Sequence, residues 1–212
     1  MILSPKHKFL LIKNYKVGGT SLEVELSQII KDSDAIFTKI DPPNQYHKIQ
    51  NDSGFYNHMS YLEIANKLGF DYINSLSSVV FVRNPFDVVL SHLYMAARWS
   101  GISDVTDQVV TDYFNGKLKL DRMLGIKTRR LYTIDNIVSV NNVLKYEDGL
   151  ESINKILSDV GIDNIKNIYK EKQYKPFDIK FNDIFTNSQL DIIRNDWSWE
   201  FESFDYNPYP SV

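Results

Sequence analysis

A lysine, two glycines and two hydroxyl residues follow a short apolar run near the start of the chain, and together they could bind an anion. The order is Lys16-Val17-Gly18-Gly19-Thr20-Ser21, directly after the segment 9–15 with its apolar residues 9–12. Glycine has no Cβ, so the backbone can turn sharply there and come close to a ligand. The outward amides of a helix start hold phosphate groups well. We therefore predict a strand, a tight turn and a helix, with the Lys16 charge beside a phosphate.

The helix after this turn is expected to begin with a capping box. Thr20 is followed three residues later by Glu23, and the amphipathic segment continues to about Ile30. A Gly-Gly turn before a capping threonine also occurs in α/β proteins that bind no ligand, so the motif alone leaves both interpretations open. It does not match the P-loop motif, because there the lysine follows the second glycine, whereas Lys16 precedes both glycines.

A second candidate for anion binding follows the most apolar stretch of the chain. Residues 79–82 are continuously apolar, which is typical of a strand buried on both faces of a parallel sheet. Arg83 comes next, then Asn84 as a helix cap and Pro85 at the first helical position. Ser91 lies seven residues beyond Asn84, on the same helix face. A surface salt bridge for Arg83 and helix packing for Ser91 are the alternatives, although ligands of open α/β sheets bind beyond the carboxyl ends of the strands.

The other segments supply further strands and helices of an α/β domain. Strands are expected at 35–40 and 142–146, and helices at about 60–70, 85–98, 103–115, 147–160 and 188–199. The stretch 41–57 is polar and turn-rich, which predicts a surface loop. The basic run 127–130 could extend a positive patch or be a solvated charged face. The aromatic residues within 197–209 are expected to pack in the core.

The composition is that of an ordinary folded protein. The chain has 212 residues, of which 43% are hydrophobic and 24% charged, so we expect a single domain over 1–212. A formal net charge of −3 gives no support to a general nucleic-acid-binding surface. The absence of cysteine removes disulfides, thiolate zinc sites and cysteine nucleophiles. The sequence shows neither a signal peptide nor an apolar run of membrane-spanning length, so we expect a cytoplasmic protein that does not enter membranes.

The two motifs resemble those of sulfotransferases that use 3′-phosphoadenosine 5′-phosphosulfate (PAPS). Residues 15–22 look like the 5′-phosphosulfate loop, usually Pro-Lys-Thr-Gly/Ala-Gly-Thr-Ser, and residues 82–87 with Ser91 are similar to the 3′-phosphate motif. The resemblance is to the carbohydrate type and extends over 57–60, over 144–148 and loosely over the closing Trp-rich helix. Tyr15 and Val17 depart from the family pattern, which commonly has Pro and Thr at these positions. The loops that would bind the acceptor show no matching motif.

The resemblance implies a P-loop-NTPase-like three-layer α/β fold, with a central, mostly parallel sheet flanked by helices. It also implies in-line transfer of a sulfuryl group from PAPS to an acceptor hydroxyl, on a carbohydrate or another hydroxylated molecule, with an acceptor amine as the alternative. The product would be 3′-phosphoadenosine 5′-phosphate (PAP), and no metal is needed. The residues that it implies in donor binding are Lys16, Val17, Gly18, Gly19, Thr20, Ser21, Arg83 and Ser91. Lys16 would also neutralise charge on the leaving 5′-phosphate and so take part in catalysis.

The acceptor proton needs a base, and His58 is the first candidate. It sits just before the second capping box, Ser60 to Glu63, and an unperturbed histidine with a pKa of about 6.5 is neutral near pH 7. A helix-capping or packing role is its alternative. Glu63 and Glu147 are weaker candidates, and the other histidines lack such placement; these are His7, His47 and His92.

Two other classes of protein remain open at this point. A nucleotide or small-molecule kinase of related fold should show the Walker lysine, which is missing here, and an aspartate that holds Mg²⁺ after a strand. A non-catalytic phosphonucleotide-binding module would keep the phosphate contacts without a base.

Overall fold

The apolar runs of the sequence form the strands of the computed structural model, which describes residues 1–40, 43–166 and 178–210. The strands are β1 (Ile2–Ser4), β2 (Phe9–Ile12), β3 (Ile36–Phe37), β4 (Ser77–Val82), β5 (Thr133–Ile134), β6 (Ile137–Val138) and β7 (Asn142–Lys145). Within the described residues, five of them form one sheet in the order β3-β1-β2-β4-β7, and β5 and β6 form a separate hairpin.

The large sheet is mostly parallel, as predicted. β2 pairs with β4, and β4 with β7, in parallel register. β1 is antiparallel to both β2 and β3, so β3 runs in the same direction as β2. In the described sheet, only β1 therefore opposes the common direction.

Helices connect and flank these strands. They are α1 (Gly19–Ile29), α2 (Tyr61–Leu68), α3 (Phe70–Asn74), α4 (Pro85–Trp99), α5 (Asp107–Phe114), α6 (Gly125–Arg129), α7 (Gly149–Asp159), α8 (Asn187–Asp196) and α9 (Ser198–Ser203). The chain divides into two compact units. The first comprises residues 1–82 and 130–171, and the second residues 83–129 and 172–212.

The core of the first unit lies between one face of the sheet and helices α1 and α7. Side chains alternate between the two faces of a strand, so every second residue of β2 and β4 faces these helices. The buried cluster joins them in one apolar layer: Phe9, Leu11, Val79, Phe81, Leu22, Leu26, Ile153 and Leu157. The intervening residues of both strands are buried as well, so β2 is apolar throughout and β4 is apolar from Val79 to Val82.

Several elements differ from the sequence-based expectations because local signals were weak or tertiary contacts intervened. β1 was not expected, since a run of three residues carries no usable periodicity. The expected strand over 35–40 is reduced to two residues. The helix that starts at residue 61 stops before Gly69, which adopts φ +94°, and α3 follows it. Of the predicted loop over 41–57, residues 41 and 42 lie outside the described residues.

The second unit consists of helices in the described residues. The predicted start of α4 is confirmed: the Asn84 side chain accepts a hydrogen bond from the Phe86 amide at 3.0 Å, and Pro85 is the first helical residue. The Phe86 ring stacks on Phe181 with centroids 4.7 Å apart. Trp197 is buried too, and it separates α8 from α9 in the stretch where one helix was expected.

Candidate anion-binding and catalytic site

The turn between β2 and α1 has the backbone geometry of an anion cradle. Lys16 and Gly18 both lie in the left-handed region, with φ of +59° and +72°. Helix α1 begins at Gly19, and the Leu22 amide donates to the Gly18 carbonyl at 3.2 Å to close the first turn. The amides of residues 19–21 therefore belong to the helix start, where no intrahelical acceptor is within reach.

The predicted capping box of α1 is wrong. Gly18 is the N-cap, no side chain caps the helix, and Thr20 lies inside the first turn. Glu23 does not reach back to the helix start, because it pairs with the buried side chain of Lys13. The opposite charge on Lys13 is a stronger partner for a buried carboxylate than a backbone amide.

Each glycine of the turn lies close to another side chain. A Cβ on Gly19 would lie 3.0 Å from Cγ of Lys13, and a Cβ on Gly18 would lie 3.0 Å from the ring of Tyr146. Tyr146 follows strand β7, so a neighbouring part of the first unit borders the turn. A side chain at either position would therefore require the contacted side chain to shift by a few tenths of an ångström.

A buried charge network lies beneath the turn, and the sequence analysis missed it. The Lys13 ammonium contacts Oε2 of Glu23, and the Met1 amino group lies 2.5 Å from Oε1. Burial raises the pKa of Glu23, but these two positive charges and their hydrogen bonds outweigh it and leave the pKa below its ordinary value. The signal available in the sequence was a lysine at the end of an apolar strand with a glutamate in the next helix.

His58 lies beside this turn, and its ring is held on two sides. Its Nδ1 is 2.9 Å from the Lys13 carbonyl, and because a carbonyl only accepts, Nδ1 must donate and the lone pair is on Nε2. The ring stacks on Tyr15 with centroids 4.2 Å apart and planes 16° apart. Burial, with a further contribution from the Lys13 charge, lowers the pKa of His58 to about 3. His58 is thus neutral at pH 7, as expected, but it is a weaker base than an unperturbed histidine.

Asn14 joins the ends of the two central strands. Its Nδ2 donates to the Phe81 carbonyl at 3.1 Å, and its Oδ1 accepts from the Tyr15 amide at 2.8 Å. The side chain is buried. The resembled motif commonly has proline at position 15. A proline has no amide hydrogen, so it could not donate this hydrogen bond to Asn14.

Glu63 is occupied by its capping box, which the structure confirms. The Ser60 amide donates to Oε2 of Glu63 at 2.8 Å, the Glu63 amide donates back to Oγ of Ser60 at 3.3 Å, and the Tyr56 hydroxyl also donates to the carboxylate. Burial raises the pKa of Glu63, but these hydrogen bonds outweigh it, so the pKa lies below its ordinary value. Glu147 is exposed in a 3-10 turn.

The remaining histidines make structural contacts. The sequence analysis had given none of them a position suited to a catalytic base. His7 lies 3.1 Å from the Val160 carbonyl, and His47 lies 2.9 Å from the Thr38 carbonyl. His92 is buried on α4, with its Nδ1 3.0 Å from the Tyr113 hydroxyl.

The residues of the second motif belong to the second unit. Arg83 directly follows the last residue of β4, and Ser91 lies on α4; both side chains are partly exposed. Because β2 and β4 are parallel neighbours, with Ile12 opposite Val80, their carboxyl ends lie at one edge of the sheet. That Arg83 and Ser91 hold the same nucleotide as Lys16 stays a prediction.

Two cations of the basic run over 127–130 contact different groups. Lys127 lies 3.8 Å from the Asp121 carboxylate, and the Arg129 guanidinium lies over the Trp199 ring at 5.4 Å. Across residues 1–40, 43–166 and 178–210, no cluster of three histidine or acidic side chains could hold a metal ion. None of the helices in the described part of the chain has the length and apolar character that a membrane crossing requires.

Comparison with known proteins gives a match of fold. No family model matches the chain, and no curated protein matches it. A crystal structure of mouse sulfotransferase SULT7A1 complexed with PAP is similar to it, with a TM-score of 0.52 and 14% sequence identity over 95% of this chain and 87% of that chain. The chain therefore shares the α/β fold of that sulfotransferase, with its mostly parallel central sheet flanked by helices.

Proposed function

We propose that this protein is a PAPS-dependent sulfotransferase that moves a sulfuryl group from PAPS to an acceptor hydroxyl. The observation that carries the proposal is the turn at Lys16 and Gly18, whose left-handed backbone leads into the first-turn amides of α1 at the carboxyl end of β2. Oriented amides at a helix start together with a lysine charge are suited to a phosphate group. The fold match to a sulfotransferase that binds PAP supports the same assignment.

Each residue of the turn would have a separate task. The Lys16 ammonium would neutralise charge on the leaving 5′-phosphate, and the amides of Gly18 to Ser21 would donate to its oxygens. The hydroxyls of Thr20 and Ser21 would add two donors. The Val17 side chain is buried in the core, so its main chain alone would face the donor.

The second motif would bind the other end of the donor. Arg83 would pair with the 3′-phosphate, and the Ser91 hydroxyl would donate to it. These contacts would fix the register of the nucleotide and disfavour donors that lack the 3′-phosphate.

The transfer itself would be an in-line displacement. The acceptor oxygen forms a bond to sulfur, the bond from sulfur to the 5′-phosphate oxygen breaks, and the acceptor proton passes to Nε2 of His58. In a loose transition state the acceptor loses its proton late, when bond formation has made that proton acidic. A weak base in the correct position is then sufficient, which fits the lowered pKa of His58.

Calorimetric titration with PAP, in the presence of a chelator, tests the donor site. We expect tight, metal-independent binding, and transfer of labelled sulfuryl groups to at least one member of a panel of hydroxylated acceptors. Mg²⁺-dependent ATP binding without PAP binding would favour a kinase instead. Binding of PAP without transfer to any acceptor would favour a non-catalytic module. A carbohydrate acceptor, a single domain and a cytoplasmic location stay predictions.

A further inference from the structure

Tyr15, which stands where the resembled motif commonly has proline, forms a stacked pair with His58. The two rings are close to parallel, with planes 16° apart and centroids 4.2 Å apart. Parallel rings at this distance attract each other beyond their simple burial. Tyr15 therefore limits how the imidazole can tilt or rotate.

Hydrogen bonds hold the backbone at Tyr15 in place. The Tyr15 amide donates to Oδ1 of Asn14, and Nδ2 of Asn14 donates to the Phe81 carbonyl at the end of β4. The Lys13 carbonyl, which accepts from Nδ1 of His58, belongs to the residue before Asn14. Three consecutive residues thus hold the imidazole from the end of a buried strand.

The backbone of His58 needs this support. His58 adopts φ +61°, in the left-handed region that a residue with a Cβ enters at a cost. Such a conformation persists only where surrounding contacts determine it. In the described residues, the His58 side chain contacts the Lys13 carbonyl and the Tyr15 ring.

We propose that Tyr15 is a positioning residue for the transfer reaction: its ring, together with the Lys13 carbonyl, holds His58 as the Nδ1–H tautomer with Nε2 presented as the proton acceptor. This inference rests on the proposed function. The ring of Tyr15, rather than its hydroxyl, is the part that acts.

Histidine-selective ¹⁵N NMR tests the inference without any turnover. Wild type, Tyr15→Phe, Tyr15→Leu and the control Tyr72→Leu are compared, and the His58 signals are assigned by their loss in His58→Gln. We expect Nδ1–H in wild type, Tyr15→Phe and Tyr72→Leu, and a mixture of tautomers in Tyr15→Leu. Tyr72 is an exposed aromatic residue on α3, and it takes no part in these contacts.

Kinetics supply the second readout. Tyr15→Leu should lower kcat at least about tenfold, a part of the hundredfold to ten-thousandfold that a general base contributes, with the Kd for PAP unchanged. Tyr15→Phe should restore kcat to within about threefold of wild type, which is a small change in transition-state free energy. An unchanged tautomer in Tyr15→Leu, or equal losses in Tyr15→Phe and Tyr15→Leu, would overturn the inference.

The two proposals fail in different ways. If wild type neither binds PAP nor transfers a sulfuryl group, the proposed function is wrong, and the role of Tyr15 in transfer is wrong with it. If wild type binds PAP normally and the His58 tautomer is unchanged in Tyr15→Leu, only the role of Tyr15 is rejected. If Tyr15→Leu does not fold, Tyr15→Met removes the aromatic ring with a more adaptable side chain and carries the same test.

Discussion

Lys13 and Lys16 are three residues apart and occupy opposite environments. Lys13 is buried, and its charge is matched by Glu23 beneath the turn. Lys16 is partly exposed, on a left-handed backbone at the helix start. Two lysines that look equivalent in the sequence therefore lie in different environments, and the proposed contact with the donor falls to Lys16.

Replacing Lys16 with glycine tests its charge without adding backbone strain. Glycine adopts positive φ readily, so Lys16→Gly should introduce no backbone strain. A lost charge-assisted hydrogen bond corresponds to about 1.5 to 3 kcal/mol, so PAP should bind about 10 to 100 times more weakly, and transfer should be abolished. Titration calorimetry and a labelled-donor assay measure both effects.

The matched control is Lys117→Ala, which removes a lysine that is 64% exposed beside Asp112. Its PAP affinity should equal that of wild type. If Lys16→Gly also keeps wild-type affinity and activity, the assignment of Lys16 is wrong.

The pKa of His58 makes stability depend on pH in a defined direction. Because the pKa is lowered to about 3 in the folded protein, the unfolded chain binds a proton first as the pH falls below about 6.5. Stability should therefore be complete above that pH and decrease below it. Between pH 7 and pH 4.5, wild type should lose about 1 to 2 kcal/mol more than His58→Gln, a figure reduced for partial exposure of the ring. Urea unfolding at both pH values measures this, and equal losses in the two proteins would contradict the lowered pKa.

At the scale of elements, the ends of β2 and β4 are joined by a side chain as well as by the sheet. Asn14 makes both of its hydrogen bonds to main-chain groups of these segments, and it is buried. The turn therefore starts from a fixed strand end.

Asn14→Ala should destabilise the protein by about 1 to 3 kcal/mol, because it leaves a buried carbonyl and an amide without their partner. Denaturant unfolding measures the change. Asn115 is exposed, and its replacement by alanine should change stability by less than about 0.5 kcal/mol. Equal effects of the two substitutions would show that Asn14 does not join the strands.

The packing of α6 against α9 in the second unit buries a carboxyl. Glu200 is 3% exposed, and a Cβ on Gly125 would lie 2.3 Å from its Oε2. Burial raises the pKa of Glu200 to about 7, although the Arg129 charge opposes the shift. The carboxyl is thus protonated over much of the range in which an ordinary glutamate is ionised.

The raised pKa of Glu200 should make the stability of the protein depend on pH, and Glu200→Gln should remove that dependence. Below about pH 4.5 both states of wild type are protonated; between pH 4.5 and 7 only the unfolded chain releases the proton, so stability falls as the pH rises. From pH 5 to pH 8, wild type should lose about 2 to 3 kcal/mol relative to Glu200→Gln. Thermal or urea unfolding measures it, with the exposed Glu202→Gln as control. If Glu200→Gln changes the pH dependence of stability no more than Glu202→Gln does, Glu200 ionises as an ordinary glutamate.

At the scale of the whole molecule, the two motifs belong to different compact units, since Lys16 lies in the first and Arg83 in the second. If a ligand contacts both residues, removing either one should reduce the stabilisation that the ligand gives. Binding to the native state at 100 times Kd stabilises by about 2.7 kcal/mol.

PAP should therefore raise the Tm of wild type, and it should raise the Tm of Arg83→Ala and of Lys16→Gly much less. Adenosine without phosphates should leave all three unchanged. A full Tm shift in Arg83→Ala would mean that the second motif does not hold the nucleotide. Differential scanning fluorimetry over a PAP titration measures these shifts.

Much of the fold followed from local signals. The apolar run of β4, the Asn-Pro start of α4 and the capping box of α2 each act over a few residues, so their sequence patterns were sufficient. β1 could not be predicted, because three residues carry no periodicity and its place between β2 and β3 depends on long-range pairing. The capping box at Thr20 failed for a similar reason, since the partner of Glu23 comes from another element.

The sequence by itself determined where backbone could turn toward a ligand, because glycines and strand-length apolar runs act locally. It also determined which side chains could supply charge or take a proton. Only the tertiary structure decided that Lys13 is buried against Glu23, and that the His58 ring stacks on Tyr15 with its proton on Nδ1. The physical reason is that burial and hydrogen-bond partners, which set the pKa and the tautomer, come from residues far apart in the chain.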